Sequence, residues 1–286
     1  TEHLSGEEFF LASEMELEDA GNSAEGTAAN QQILIIEDNQ DLQFFLRKKL
    51  SPIYQVVQAT NGKEGLQKAF DQTPDLIVCD IMLPGMDGLE ITRTLKSDLR
   101  TSHIPILILS ARSTVEHQIE GTELGADSYV TKPFNVHFLM AKIKSLLLNR
   151  AVLKESFGKG LVSHSLENLT VDLPKSTSPL DRDFIQKFVT YIGQHYNRQD
   201  FQVADLCQEF GLSRSQLYRK VSALLGESIS DYIQNIRLKK AEELLLEGKH
   251  SIADIAYQVG YSSPDYFSTV FRSRYGVPPT AFKKKK

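Results

Sequence analysis

No apolar run in the 286-residue sequence approaches the ~20 residues that a membrane-spanning helix needs, so no such helix is expected. The N-terminus lacks the succession of basic, apolar and small residues that marks a secretory signal. Cysteine is scarce: Cys79 and Cys207 lie far apart, which fits a reducing cytosol. None of the seven histidines forms a metal-spaced pair, and none is followed by Glu as in the phosphodonor motif of a kinase. Histidine-kinase chemistry is therefore not expected from these residues. The chain also opens on Thr1 rather than Met, and the expectation is that it continues a longer protein.

Charge and hydrophobicity divide the sequence. At 286 residues, two domains are expected, because single cores stop growing near ~150 to 250 residues. From Asp181 onward there are sixteen Lys/Arg against twelve Asp/Glu, a net of +4, which leaves −9 of the total −5 for residues 1–180. An acidic module joined to a basic one can approach polyanions, although the terminal run Lys283 to Lys286 carries the whole excess. Residues 1–31 read as an acidic disordered linker, with eight Asp/Glu and no Lys/Arg in 1–30. From Gln32, short apolar runs (Ile33 to Ile36, Tyr54 to Val57, Leu76 to Cys79, Ile106 to Leu109, Ser128 to Val130) alternate with stretches of helical period. This pattern predicts a doubly wound α/β domain over 32–150 with a five-stranded parallel sheet. Pro174, Pro179 and a Lys-Ser-Thr-Ser cluster place a linker at 151–180, and 181–286 reads as all-helical.

Sites in doubly wound sheets form at the carboxyl ends of strands, and polar residues stand at those ends here. They are Glu37 and Asp38 after the first strand, Asp80 after the third, Ser110 after the fourth, and Lys132 with Pro133 after the fifth. Three carboxylates brought together repel unless a cation joins them, and an all-oxygen set suits Mg²⁺. Lys132 and Ser110 offer a positive charge and a hydroxyl to phosphoryl oxygens. Cys79, in an apolar strand, reads as core.

The segments Ile33 to Asp38, Asp75 to Gly88 and Thr131 to Phe134 resemble the response-regulator receiver domain, of flavodoxin-like fold. That resemblance implies that Asp80 accepts a phosphoryl group from a phosphohistidine. It also implies that Mg²⁺ is held by Glu37, Asp38, Asp80 and the backbone carbonyl of Met82, and that Ser110, Lys132 and Tyr129 stabilise the phosphate or switch with it. Glu37 stands where Asp is more usual. The rival reading of an aspartyl-phosphate phosphohydrolase asks for a second acid two residues beyond the nucleophile, and Met82 occupies that place.

In the C-terminal half, Val203 to Phe210, Gly211 and Ser213 give an amphipathic helix, a tight turn and a Ser cap before a second helix at Arg214 to Leu225. Leu217, Val221 and Leu224 share one face; Ser215, Tyr218, Arg219 and Ser222 share the other. The unit repeats at Ser251 to Arg272, with Phe267, Val270 and Phe271 inward and Asp265, Ser268, Thr269 and Arg272 outward. Ile229 to Leu246 forms a spacer helix about 27 Å long, of the order needed to set two helices in successive major grooves ~34 Å apart. Ile252 to Ala256, Gly260 to Ser263, Tyr266-Phe267, Phe271-Arg272 and Tyr275 to Pro279 resemble the AraC/XylS family of transcription regulators.

The DNA-reading residues expected are Ser215, Tyr218, Arg219, Ser268, Thr269 and Arg272. Thr269 stands where the family often has Arg, and Asp265 would face an anionic groove, so base specificity is expected to rest on Tyr218 and Arg219. The pair of resemblances implies a cytoplasmic bacterial regulator whose partners are double-stranded DNA, a histidine kinase in the same longer chain or a separate one, a second copy when phosphorylated, and RNA polymerase. A helical domain that docks protein instead of DNA is the rival reading, separable by salt-dependent binding to duplex DNA.

Overall fold

In a computed structural model of the chain, residues 31–111, 125–160 and 177–283 are described. The acidic segment expected at 1–31 lies, apart from Gln31, outside them. Two compact units divide near Ala151.

The first unit is built on five strands, and where they are buried on both faces, at 33–36, 76–79 and 106–109, they read as unbroken apolar runs instead of alternating ones. The strands are β1 (Gln32–Ile36), β2 (Gln55–Ala59), β3 (Leu76–Asp80), β4 (Ile106–Ser110) and β5 (Ser128–Thr131). All pairs are parallel in the order β2-β1-β3-β4-β5, so the chain reverses its direction of travel across the sheet at β1, beside β3. Helices α1 (Gln40–Leu50), α2 (Gly62–Gln72), α3 (Gly88–Ser97) and α4 (Val136–Gly160) accompany them. Asn39, Asn61 and Asp87 accept hydrogen bonds from the first-turn N–H groups of α1, α2 and α3, which sets the starting point of each helix.

Two cores result. Ile33, Ile35, Val78, Leu107, Leu109 and Val130 pack with Leu46 of α1 and Ile143 of α4, whereas Leu34, Ile36, Ile77, Ile108 and Ala126 pack with Ala69 of α2 and Ile91 of α3. Helix α4 continues to Gly160, past the residue-150 boundary read from the sequence.

The second unit is helical: α5 (Pro179–His195), α6 (Val203–Phe210), α7 (Arg214–Leu225), α8 (Ile229–Glu247), α9 (Ile252–Gln258), α10 (Pro264–Tyr275) and α11 (Pro279–Lys283). Pro179, which suggested linker, occupies the first turn of α5 behind the Ser178 cap, where its fixed φ and missing N–H cost nothing. Ser213, Ser228, Ser251 and Ser263 cap α7, α8, α9 and α10 in the same way. The turn from α6 to α7 passes through Gly211 at φ 62°, a left-handed conformation that a side chain would strain.

Helix α8 belongs to two clusters. Tyr232 meets Phe188 of α5, ring centroids 5.6 Å apart, and Leu238, Ala241 and Leu245 pack with Ile255, Phe267 and Phe271 of α9 and α10. One expectation fails on α7. Its buried residues are Leu217, Lys220, Val221 and Leu225, with Leu224 only partly buried, and Lys220 takes a core position where it pairs with Asp181. Among the described residues, no helix is long and apolar enough to cross a membrane.

Candidate functional site

Strand register brings the polar strand ends of the first unit together. β1 and β4 both flank β3, so Glu37, Asp38 and Asp80 meet at one edge, with one carboxylate oxygen from each within 4.8 Å of the others. Backbone bonds fix the frame: Glu37 N–H donates to Ala59 O at 3.1 Å, Ile81 N–H to Leu109 O at 3.1 Å, and Lys132 N–H to Ser110 O at 2.7 Å. Gly88 N–H donates to Ile81 O at 2.9 Å, and its Cα lies so near the Asp80 backbone that a Cβ would overlap the Asp80 carbonyl oxygen. The start of α3 is thereby pressed against the strand end that carries Asp80.

Glu37 is 1% exposed and Asp80 6%. Lys132 Nζ stands between them, 2.9 Å from Glu37 Oε2 and 3.0 Å from Asp80 Oδ2. Burial pushes the Glu37 carboxyl up to about 7, against the Lys132 charge and with help from the charge of Asp80. Burial also works most strongly against the Lys132 ammonium, but the two carboxylates together leave its pKa raised. Excess negative charge is thus held in a poorly solvated place by one cation. An all-oxygen donor set with such an excess fits a hard divalent ion.

Ser110 is buried at the end of β4, in register with Thr131, and half-buried Tyr129 is in register with Ile108 and packs on the same core cluster. By strand alternation Ser110 and Tyr129 share a face of the sheet, and Asp80 and Lys132 have the opposite parity. Met82, two residues beyond Asp80, has an exposed side chain. The segment Thr114 to Glu123, expected to form part of a surface that responds to phosphate, lies outside the described residues.

In the second unit, α7 and α10 are the second helices of two helix-turn-helix units. On α7, Ser215 and Arg219 are exposed, and half-buried Tyr218 has the Arg214 guanidinium 5.6 Å from its ring centroid. On α10, Arg272 and Thr269 are exposed, but the Thr269 hydroxyl donates to Asp265 O at 3.0 Å. Ser268 is only half-exposed, and its hydroxyl donates to Pro264 O at 2.8 Å. These back-bonded hydroxyls are poorer groove readers than their positions suggested. Arg214 and Tyr266, the latter 60% exposed, stand near the N-terminal ends of the two helices and were not among the expected residues. Their place in the first turn after each Ser cap was the available signal.

Comparison with known proteins agrees with this geometry. The family model described as response regulator receiver domain matches residues 33–144, and a helix-turn-helix domain model matches 206–285. The phosphate regulon transcriptional regulatory protein PhoB of Pseudomonas aeruginosa is 33% identical over 221 residues, covering 72% of this chain and 93% of PhoB. The chain belongs to the two-component response regulators. This response regulator carries a receiver domain followed by an AraC-type helix-turn-helix domain.

Response regulator ArlR of Staphylococcus aureus is 41% identical over 117 residues, covering 41% of this chain and 52% of ArlR. Histidine kinase P4 of Formosa agariphila is 36% identical over 253 residues, covering 88% of this chain but only 18% of that kinase. Among solved structures, the receiver domain of Francisella response regulator 1452 is 30% identical, covering 42% of this chain and 98% of that one, with a TM-score of 0.40.

Proposed function

We propose that phosphorylation of Asp80 by a histidine kinase controls how tightly the C-terminal helices hold their DNA site. The observation that carries this reading is the convergence of Glu37, Asp38, Asp80 and Lys132, from three separate strands, on one sheet edge. On this reading, 32–150 is the receiver, 151–180 the linker and 181–286 the AraC-type domain.

An Asp80 carboxylate oxygen attacks the phosphorus of a phosphohistidine; the new O–P bond forms as the N–P bond breaks, and the imidazole leaves. Lys132, now paired with Asp80, moves its charge onto the incoming phosphoryl oxygens, and the Ser110 hydroxyl donates to another. Glu37, Asp38, Asp80 and the Met82 carbonyl are the groups that would hold Mg²⁺, whose chemistry there is neutralisation of phosphoryl charge. Tyr129 follows Ser110 by turning inward. In the second unit, Tyr218 and Arg219 read bases, and Ser215, Ser268, Thr269 and Arg272 hold phosphates or groove edges.

The similarity to Histidine kinase P4 over 88% of this chain favours an arrangement in which kinase and regulator share one longer polypeptide. The chain then works in the cytoplasm or as the cytoplasmic part of an anchored protein, with a second copy and RNA polymerase as further partners. The test is labelling of the chain with acetyl phosphate. Incorporation is expected only with Mg²⁺ present and is expected to vanish in Asp80→Asn; undiminished labelling of that variant would refute the assignment.

A further inference from the structure

Arg237 of α8 bridges the end of α5 and the turn between α9 and α10. Helix α5 ends at its cap residue Tyr196, leaving carbonyl groups without helical donors. Arg237, in the middle of α8, reaches the cap residue and the turn that follows it: its Nε donates to Tyr196 O at 2.8 Å and its Nη2 to Arg198 O at 2.9 Å. A planar guanidinium satisfies two carbonyls in a fixed relative orientation, and its charge complements the negative end of the α5 dipole.

The second unit's turn sits on the same spot. Gly260, between α9 and α10, has φ 91°, and a Cβ there would lie 2.5 Å from Tyr196 O and 3.0 Å from Arg237 Nη2. The next residue, Tyr261, lies with its ring centroid 5.6 Å from the Arg237 guanidinium, and the same ring meets Phe267 of α10 at 5.3 Å. The other end of α5 is tied to the first recognition helix, because Asp181 pairs with Lys220 of α7. A chain of direct contacts therefore runs from α7 through α5 and Arg237 to α10. Helix α8 spans the two units, and Arg237 joins it to the end of α5 and to the Gly260 turn.

We infer that Arg237, seated on the Tyr196 and Arg198 carbonyls at the end of α5 and against the Gly260 turn, is a positioning residue that fixes the register of the two recognition helices and hence the spacing of the DNA half-sites. The inference rests on DNA being the ligand of α7 and α10. Arg237 itself touches no DNA.

The experiment uses the full chain and a duplex selected from a random library by the wild-type protein, with copies carrying one or two base pairs inserted between the protected grooves. One inserted base pair moves the second groove by ~3.4 Å and turns it by roughly a tenth of a turn. Wild type is expected to lose on the order of tenfold in affinity per inserted pair, within the range of a mismatched site. Arg237→Met is expected to bind the selected duplex more weakly while discriminating the inserted copies less than threefold. Arg237→Lys, which keeps charge but not the fork, is expected to fall between, and it carries the test if Arg237→Met does not fold. Failure of wild type to select any duplex would overturn DNA binding and this inference with it. A selected duplex whose spacing preference is the same in the folded variants and in wild type overturns the inference alone.

Discussion

Lys220 of α7 forms an ion pair with Asp181 of α5 inside the protein, with the residues 0% and 3% exposed. Asp181 also accepts from the Ser178 hydroxyl at 2.9 Å, and the Lys220 ammonium lies 5.0 Å from the Phe184 ring centroid. The charges are thus desolvated and held by each other, so removing one strands its partner.

Lys220→Met is therefore expected to destabilise the second unit by ~3 to 5 kcal/mol, the usual cost of an uncompensated buried charge. The double variant Lys220→Met, Asp181→Leu is expected to recover most of that loss, since both charges go together. Denaturant unfolding of the full chain, followed by helix signal, measures both. A single variant as stable as wild type would refute the burial of this pair.

At the other site, Gly88→Ala is expected to impair phosphorylation although Gly88 touches no phosphate. Its Cβ would meet the Asp80 carbonyl oxygen and lie 2.9 Å from Ile81 Cα, so β3 or α3 must shift. Overpacking of this kind costs ~1 to 3 kcal/mol. Acetyl phosphate labelling is expected to slow at least tenfold in a chain that still folds, because the nucleophile leaves its place beside Lys132.

These two sites differed in how much of them could be read beforehand. Glu37, Asp38, Asp80, Ser110 and Lys132 were legible because each ends a strand, and parallel register then brings strand ends to one edge whatever the details of packing. Lys220 was not, because its place on the Leu217–Val221 face conflicts with its charge and its partner stands 39 residues away. Pro179 misled for a local reason: proline signals both a linker and a first helical turn, and only the Ser178 cap decides. The role of Arg237 depends on contacts with α5 and the Gly260 turn, and no periodicity encodes those. The hydroxyls of Ser268 and Thr269 were legible as outward-facing, but their bonds back to α10 were not.

On DNA, Arg219→Ala is expected to lower specific binding more than non-specific binding, since a bidentate contact to guanine is worth ~1 to 3 kcal/mol of discrimination. Arg272→Ala is expected to lower both about equally and to reduce the salt slope by ~1. Titrations of the selected duplex and a scrambled one at several salt concentrations separate the two patterns. An unchanged footprint and affinity for Arg219→Ala would mean that α7 is not the base-reading helix.

Coupling between the two sites is expected to run through Ser110 and Tyr129. They belong to adjacent strands, Ser110 two residues beyond Ile108, the register partner of Tyr129, and strand alternation puts both on one face. A phosphoryl group on Asp80 brings up to ~2 negative charges and strong acceptor oxygens, which draw the Ser110 hydroxyl inward. The space it leaves admits Tyr129, and the surface that includes Asn135 to Leu148 changes shape. Two receivers that pair through this surface bring two basic domains onto neighbouring sites, and each ~1.4 kcal/mol of added pairing energy raises DNA occupancy up to tenfold. Sedimentation and DNA titration with the phosphate mimic beryllofluoride are expected to show a heavier species and tighter binding in wild type. Ser110→Ala is expected to bind the mimic but respond weakly in both measurements, because the hydroxyl that links Asp80 to Tyr129 is gone. Unchanged mass and affinity in wild type on adding the mimic would refute the coupling and leave the two domain assignments intact.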